Sequence, residues 1–172
     1  MTEIINGELV LNELSKNSNG GTELMARRMV NSIDKELLSK FNIIHSRVRN
    51  LSDDKPNIMV LHDLPNDPES SKLSDVDYRS KFAKFVFVSN WQMQYYNLTH
   101  GIPYSQSVVI KNAIEPIPIK EKEYDGTVRL IYHTTPHRGL EILYPAFDRL
   151  CEILDDKIHL DVYSSFSIYG WE

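Results

Sequence analysis

The sequence predicts an α/β fold in which helices lie on both faces of a parallel sheet. Short runs of β-branched, aliphatic and aromatic residues recur along the chain, as is typical of strands buried on both faces. Phe85–Val88 and Ser107–Ile110 are two such runs, and a helical segment, Trp91–His100, connects them. Because two strands joined through a helix pair in the same direction, this βαβ unit predicts a parallel sheet with a right-handed crossover.

Local signals mark both ends of this helix. Ser89 and Asn90 can each accept a hydrogen bond from a free backbone N–H group of the first turn. Gly101 follows the last helical residue, where a left-handed conformation costs least, and Pro103 prevents the helix from resuming. The unit is therefore bounded by residues whose backbone chemistry suits each position.

A second helix is predicted to open from a turn-forming cluster at residues 17–23. Apolar residues recur at helical spacing after the cluster, and Asn19 or Thr22 is the predicted N-cap. A glycine pair, Gly20 and Gly21, stands at the helix start. Without Cβ atoms this backbone can approach a phosphate, which the free N–H groups and the positive end of the helix would hold. The plainer alternative is a flexible turn that only caps the helix.

Three further strands are predicted, at Glu8–Leu11, Phe41–Val48 and Asn57–Leu61. The last of these delivers His62 and Asp63 to its carboxyl end. Since ligands of open parallel sheets bind outside the carboxyl ends of the strands, His62 is a candidate binding residue with Asp63 beside it. The alternative is a histidine whose ring is satisfied by the backbone at the end of a strand.

The next segments organise the chain into domains. Leu64–Ser74 contains two prolines and is predicted to be a mobile loop over the sheet edge, followed by a short helix at Asp75–Ala83. Residues 117–127 are charged and lack an apolar period, which favours a linker. The sequence therefore predicts an N-terminal domain at 1–116 and the start of a second domain at 128–172.

The second domain is predicted to begin with another βαβ unit. Strands are expected at Val128–Tyr132 and Ile158–Tyr163, with a loop at 133–139 and a helix between them. Pro145 lies inside that helix and should remove one hydrogen bond. The apolar residues of the helix recur at intervals of three and four, which predicts a buried stripe. They are Leu140, Leu143, Phe147, Leu150 and Leu154.

The composition excludes several classes of protein. The net charge of −5 and the pI of about 5.7 argue against a general nucleic-acid binder, which needs a basic face. The only cysteine, Cys151, cannot form an intramolecular disulfide or a thiolate metal site. No stretch resembles a secretory signal or a transmembrane segment, so we expect a cytoplasmic protein. An open sheet edge would allow a homo-oligomer.

The central βαβ unit also carries a family resemblance. Val88-Ser89-Asn90, Gly101-Ile102-Pro103 and Val109–Ile114 follow one another in this order. The arrangement resembles the end of the first domain in glycosyltransferases of the GT-B fold, particularly the retaining family four. It implies a Rossmann-like N-terminal domain followed by the first βαβ unit of the C-terminal domain. Ala113 departs from the Asn-Gly ending that is usual in that family.

The resemblance implies donor-binding residues in both parts of the chain. The loop with Gly20 and Gly21 would face the donor's phosphates or sugar, and His62 would line the sugar site. Arg138-Gly139-Leu140-Glu141 stands where the family has Lys-Gly-x-Glu, which holds the diphosphate. An arginine can grip phosphate oxygens in bidentate fashion.

The start of that second loop also departs from the family pattern. His133 replaces the usual arginine five residues before Arg138, so Thr134 and Thr135 are expected to help hold the second phosphate. His62, His133 and His137 lack the spacing of a metal site, and no metal is expected.

The implied function is transfer of a sugar from a nucleotide-diphosphate sugar to an unknown acceptor, with retention. A UDP- or GDP-sugar would be the co-substrate, and no cofactor would be tightly bound. Two alternatives stay open: a non-catalytic module that binds nucleotide sugars or phosphate, and a Rossmann-like module that acts by association.

The resemblance covers about residues 17–165, whereas members of the family are longer. They bind the donor through paired glutamates late in the second domain. Glu115 and Glu123 have the family's spacing but lie in or beside the predicted linker, so we do not assign them. We therefore expect a fragment truncated within the C-terminal domain.

Overall fold

The computed structural model of the chain describes residues 2–11, 20–121 and 123–166. It divides into two compact units, residues 1–114 and 115–172, and each is described by itself. The predicted division into a domain to residue 116, a linker at 117–127 and a second domain stays a prediction.

The first unit is built on a mixed sheet. Its strands are β1 (Thr2–Ile5), β2 (Glu8–Leu11), β3 (Asn42–His45), β4 (Asn57–Leu61), β5 (Phe82–Phe87) and β6 (Ser107–Val109). They lie in the order β2-β1-β3-β4-β5-β6. From β3 to β6 every pairing is parallel, which confirms the predicted βαβ arrangement.

The first two strands depart from the otherwise parallel order of the sheet. β1 pairs antiparallel with both β2 and β3. A two-residue turn, Asn6-Gly7, joins β1 to β2, and both residues have positive φ angles of 54° and 76°. Asn-Gly is the usual pair for this tight hairpin turn. A Cβ at Gly7 would lie 2.6 Å from the carbonyl oxygen of Lys35, so glycine is required there.

Helices cover both faces of this sheet, as the sequence predicts. The α-helices of the unit are α1 (Gly21–Ser32), α2 (Lys35–Leu38), α3 (Val76–Arg79) and α4 (Asn90–His100). Two 3₁₀ helices, Pro68–Ser74 and Tyr104–Gln106, complete it. The fold is a Rossmann-like α/β arrangement with a predominantly parallel sheet. None of the helices in the described residues is long and apolar enough to cross a membrane.

Two apolar clusters fill the two sides of the sheet. On one side α1 contributes Met29 and Val30 against a cluster of buried residues. These are Ile4, Leu38, Ile43, Val60 and Val86. On the other side α4 and the first 3₁₀ helix contribute Tyr96 and Leu73 to a larger cluster. It contains Ile44, Met59, Leu61, Phe82, Phe85, Phe87 and Ile102 as well.

Several predicted boundaries require correction. The segment 64–74, predicted to be a loop, contains the 3₁₀ helix Pro68–Ser74, because Leu73 and Ser70 are buried and Asp67 caps its start. The predicted helix at 75–83 ends at Arg79, since Phe82 is the first residue of β5.

The start of α1 also differs from the prediction. Its N-cap is Gly20, with no side-chain cap, rather than Thr22. Asn19, the other predicted cap, lies outside the described residues.

The predicted caps of α4 are confirmed. The Ser89 hydroxyl accepts a hydrogen bond from the backbone N–H of Gln92 at 3.1 Å. Gly101 ends the helix with a φ angle of 69°, in the left-handed region.

The buried amide of Gln92 connects α4 to two strands. Its oxygen accepts from the N–H of Val88, just after β5, at 2.9 Å. Its nitrogen donates to the carbonyl oxygens of Leu61 and Asp63 at 3.1 and 2.9 Å, at the end of β4. One side chain therefore holds the carboxyl ends of two neighbouring strands in place.

The described part of the second unit contains one βαβ unit. β7 (Val128–Tyr132) pairs parallel with β8 (Ile158–Val162), and α5 (Leu140–Leu154) connects them, with a 3₁₀ turn at Asp155–Lys157. Pro145 lies inside α5, as predicted. The predicted stripe on α5 is only partly buried, because a two-stranded sheet covers little of a 15-residue helix. Leu150 and Leu154 each remain 37% exposed.

Replacement of Gln92 by alanine should destabilise the first unit. Val88 N–H and the carbonyls of Leu61 and Asp63 would lose their partner, which predicts a loss of roughly 2–4 kcal/mol in the free energy of unfolding. Urea unfolding followed by circular dichroism measures it. Gln94→Ala, at an exposed position of the same helix, is the matched control and should change stability by less than about 0.5 kcal/mol. Equal effects of the two substitutions would contradict the role of Gln92.

Glu3 is an unusual charge in the core. It lies in β1 opposite Ile44 and is fully buried, and neither carboxylate oxygen has a hydrogen-bond partner among the described residues. Burial raises its pKa, against the opposing effects of the nearby backbone N–H groups of Asn50 and Arg49. The folded state therefore binds a proton more readily at Glu3 than the unfolded state does. The stability of the fold falls as the pH rises from the ordinary pKa of glutamate through the raised pKa of the folded state.

We expect Glu3→Gln to stabilise the protein at pH 7 by roughly 1 kcal/mol or more, because it removes a buried charge without changing the size of the side chain. The gain should shrink as the pH is lowered toward the ordinary pKa of glutamate, where the native carboxyl is already protonated. Thermal unfolding at several pH values measures it. Glu8→Gln removes an exposed ion pair with Lys35 and should give no gain in stability. A gain of the same size in this control would show that the buried charge of Glu3 is not the cause.

Candidate functional site

The candidate site lies at the edge of the first sheet where the parallel strands end. β3 ends at His45, and β4 is followed by His62 and Asp63. β1 runs in the opposite direction, so its first residue, Thr2, pairs with His45 at this same edge. The sheet thus places one predicted site residue, His62, beside two residues that the sequence analysis did not select.

His45 and His62 form a stacked, hydrogen-bonded pair. Nδ1 of His45 lies 3.2 Å from Nε2 of His62, and the rings are nearly parallel, with centroids 5.5 Å apart. His45 is only 2% exposed, and its second ring nitrogen, Nε2, has no partner among the described residues. His62 is half-buried, so the pair reaches from the core to the site.

Burial keeps both rings uncharged. Burial, with a smaller contribution from the neighbouring His62, lowers the pKa of His45 to about 3. Burial also lowers the pKa of His62, although the charges of Asp63 and Glu23 act in the opposite direction. The pair therefore acts near neutral pH through hydrogen bonds rather than through charge.

The backbone at His62 is fixed by its neighbours. Ser46 follows β3 in a left-handed conformation, with a φ angle of 57°, and its hydroxyl accepts from the N–H of His62 at 3.2 Å. On the other side of the chain, Gln92 and Tyr96 both donate to the carbonyl oxygen of Asp63. The turn that carries the predicted site residues is therefore anchored by side chains from β3's end and from α4.

The first turn of α1 lies at this same edge. Thr2 donates from its hydroxyl to Oε1 of Glu23 at 3.3 Å, and the Glu23 charge partly opposes the lowering of the His62 pKa by burial. Gly20 is buried, whereas Gly21 is exposed, and a Cβ built on Gly21 would meet no atom within 4 Å. The backbone N–H groups that open this helix thus lie at the edge that carries the histidine pair, and a helix start of this kind suits an anionic ligand.

The remaining predicted residues lie in the second unit, in the loop before α5. The Tyr132 hydroxyl donates to the carbonyl oxygen of Thr135 at 2.8 Å, and the Ser164 hydroxyl donates to that of Thr134 at 2.7 Å. Thr135 is buried, and its hydroxyl has no partner among the described residues. These bonds fix the loop in a compact turn.

Gly139 and Arg138 close this loop. Gly139 has a φ angle of 98° and is the N-cap of α5, where its carbonyl accepts from Leu143 at 2.9 Å. Arg138 precedes it with an exposed side chain, and its N–H donates to the carbonyl of Thr135 at 3.0 Å. The donor-binding roles assigned to Thr134, Thr135, Arg138 and Gly139 stay predictions.

The structure therefore separates the predicted residues into two groups. Gly20, Gly21 and His62 lie at one edge of the first sheet, and the others lie in one loop of the second unit. Sequence reasoning missed His45. The predicted strand 41–48 ran past this residue, and a strand that ends at residue 45 would have placed it beside His62 by the same rule.

Elsewhere in the described residues, polar groups do not form a comparable site. In the described ranges there is no cluster of three or more His, Cys, Asp or Glu residues that could hold a metal ion. An open depression lies at the amino ends of β7 and β8, lined by Arg129, Cys151 and His159 among others. It contains none of the predicted site residues, and ligands of parallel sheets bind at the opposite ends of the strands.

No family model and no curated protein matches this sequence. Among solved structures, the chain is similar to a glycosyltransferase from Rickettsia africae ESF-5, with 18% sequence identity and a TM-score of 0.45. The match covers 92% of this chain and 55% of that one, so this chain spans about half the length of that glycosyltransferase.

The histidine pair predicts an acid-sensitive fold. His45 stays neutral in the folded state to a pKa of about 3, whereas in the unfolded chain it binds a proton near pH 6.5. Stability should therefore fall as the pH is lowered through this window, by roughly 2 kcal/mol between pH 7 and pH 5 from His45 alone. Urea unfolding at both pH values should show a smaller loss for His45→Asn. An unchanged loss in this variant would show that His45 is not the source.

Proposed function

We propose that this chain is a glycosyltransferase of the GT-B type, similar to the retaining family four, that transfers a sugar from a UDP- or GDP-sugar to an acceptor. The observation that supports this best is the edge of the first sheet. There a neutral histidine, His62, stands beside a helix that opens with two glycines. The histidine suits a sugar hydroxyl, and the start of the helix suits a phosphate.

In this proposal the first unit binds the sugar end of the donor. The ring of His62 forms a hydrogen bond with a sugar hydroxyl, which a neutral imidazole can do without attracting competing anions. The N–H groups at the start of α1 face the phosphates or the sugar, and Gly21 leaves the space in which a side chain would otherwise stand.

The loop before α5 is proposed to hold the diphosphate. Negative charge develops on this group as the sugar leaves, so fixed positive groups accelerate the reaction. Arg138 supplies that charge at the start of the helix, with Thr134, Thr135 and the backbone of Gly139 as further donors. These groups and the helix dipoles replace a metal ion, and no tightly bound cofactor is proposed.

The remaining assignments follow from the same proposal. The enzyme would act in the cytoplasm, where nucleotide sugars are available, and its partners would be the donor and an acceptor. The outer strands of the first sheet, β2 and β6, are edges through which a homo-oligomer would form. A module that binds nucleotide sugars without turnover is the second candidate, because in the described residues the second unit contains a single βαβ unit.

Calorimetric titration of the chain with UDP and GDP tests the donor site. We expect one of the two to bind, and Arg138→Ala to weaken binding about 10- to 100-fold through loss of a charge-assisted hydrogen bond. Arg149→Ala is the matched control, because Arg149 is an exposed cation of the same unit, on the helix that follows Arg138, and pairs with Glu152. It should leave the affinity unchanged.

Gly21→Ala gives a second, independent test. The added Cβ meets no protein atom, and alanine favours a helix more than glycine does, so the fold should keep its stability. A ligand that contacts the backbone there should nevertheless bind more weakly to this variant. Binding without sugar transfer in a product assay would favour the non-catalytic module, and no binding of either nucleotide would contradict both candidates.

A further inference from the structure

The contact between His45 and His62 fixes where the protons of both rings lie. Two neutral imidazoles whose nitrogens are 3.2 Å apart share one hydrogen bond, so one nitrogen carries a proton and the other accepts it. Each ring then carries its single proton at a defined atom. The direction of this one bond therefore decides which chemical group His62 presents to a ligand.

The buried end of His45 distinguishes the two directions. If Nε2 of His62 donated, His45 would carry its own proton on Nε2, which is buried and has no partner among the described residues. If Nδ1 of His45 donates, that buried atom carries only a lone pair. Buried N–H groups without an acceptor are rarer in proteins than buried acceptors without a donor, because losing the bonds of a donor to water is costly. The second direction is therefore favoured.

We propose that His45 is a positioning residue, which donates its Nδ1–H to Nε2 of His62 and thereby holds the His62 proton on Nδ1. His62 then presents an N–H donor on the far side of its ring. Within the described residues Nδ1 of His62 has no hydrogen-bond partner, and the ring is half-buried. The group that this N–H recognises is an oxygen that accepts a hydrogen bond, such as the oxygen of a sugar hydroxyl or of a phosphate, rather than a hydrogen-bond donor.

Two carboxylates, Asp63 and Glu23, also act on the His62 ring. Their charges favour its protonation, against the effect of burial, whereas the direction of the hydrogen bond follows from the buried Nε2 of His45. The main-chain N–H of His62 donates to the Ser46 hydroxyl, which fixes the backbone from which the ring extends. This inference deepens the proposed function, on which it relies only for the identity of the ligand.

Nitrogen NMR of the chain labelled with ¹⁵N-histidine tests the proposal directly. Ring nitrogens that carry a proton resonate far from those that do not, so the spectrum at about pH 7.5 reports the protonated atom of each neutral ring. Signals of His62 and His45 are assigned from their loss in His62→Gln and His45→Leu. We expect His62 to be protonated on Nδ1 and unprotonated on Nε2. A His62 protonated on Nε2 would overturn the proposal.

Two substitutions of His45 separate positioning from packing. The side-chain amide of asparagine places an N–H group close to where Nδ1 of histidine lies, so His45→Asn should preserve the Nδ1–H form of His62. His45→Leu fills the core without a donor, and the His62 signals should shift toward the other form. Identical His62 signals in all three proteins would overturn the role of His45. Should His45→Leu fail to fold, the protonated atom of His62 in the unmodified chain still tests the proposal, since protonation on Nε2 overturns it.

The measurement does not depend on catalysis. Failure to bind UDP or GDP together with the expected ring protons would leave this inference intact and contradict the proposed function. Nucleotide binding together with a His62 protonated on Nε2 would support the proposed function and contradict this inference.

Discussion

The arrangement of this protein depends on the alignment of strand ends in its first sheet, and the buried amide of Gln92 holds that alignment. It joins the end of β4 to the end of β5 through three hydrogen bonds made by one side chain. Backbone groups just beyond a strand have no ladder partner, so a buried strand end needs such a side chain. Gln92 supplies it, and Tyr96, one turn further along α4, binds Asp63 and Ser70 from the same side.

The face opposite α4 carries the chemistry. There the parallel register brings His45 next to Val60, and the chain continues two residues further to His62. Because the register is fixed by buried side chains on both faces, the two rings meet without any dedicated loop. Regular strands therefore form the site. The end of β3 supplies His45 and the residue after β4 supplies His62, and Thr2 of the antiparallel β1 lies next to His45.

Much of the fold could be predicted from local signals. The apolar runs gave the strands β4, β5 and β7, and the Ser89 and Gly101 signals gave α4, because each of these depends on a few adjacent residues. The hairpin of β1 and β2 is also encoded locally, by the Asn6-Gly7 turn. The 3₁₀ helix at Pro68–Ser74 was not predictable in the same way, since what orders it is the burial of Leu73 in a cluster formed by distant strands.

The sequence by itself determined the βαβ units, the two ends of α4 and the position of His62 after a strand, since each of these follows from spacing along the chain. Only the tertiary structure decided that His45 would be its partner, because that pairing depends on which strands are neighbours and in what register. It also decided that Glu3 would be a buried carboxylate, and that the stripe on α5 would stay partly exposed. Burial is set by what packs against a residue, and no local pattern contains that information.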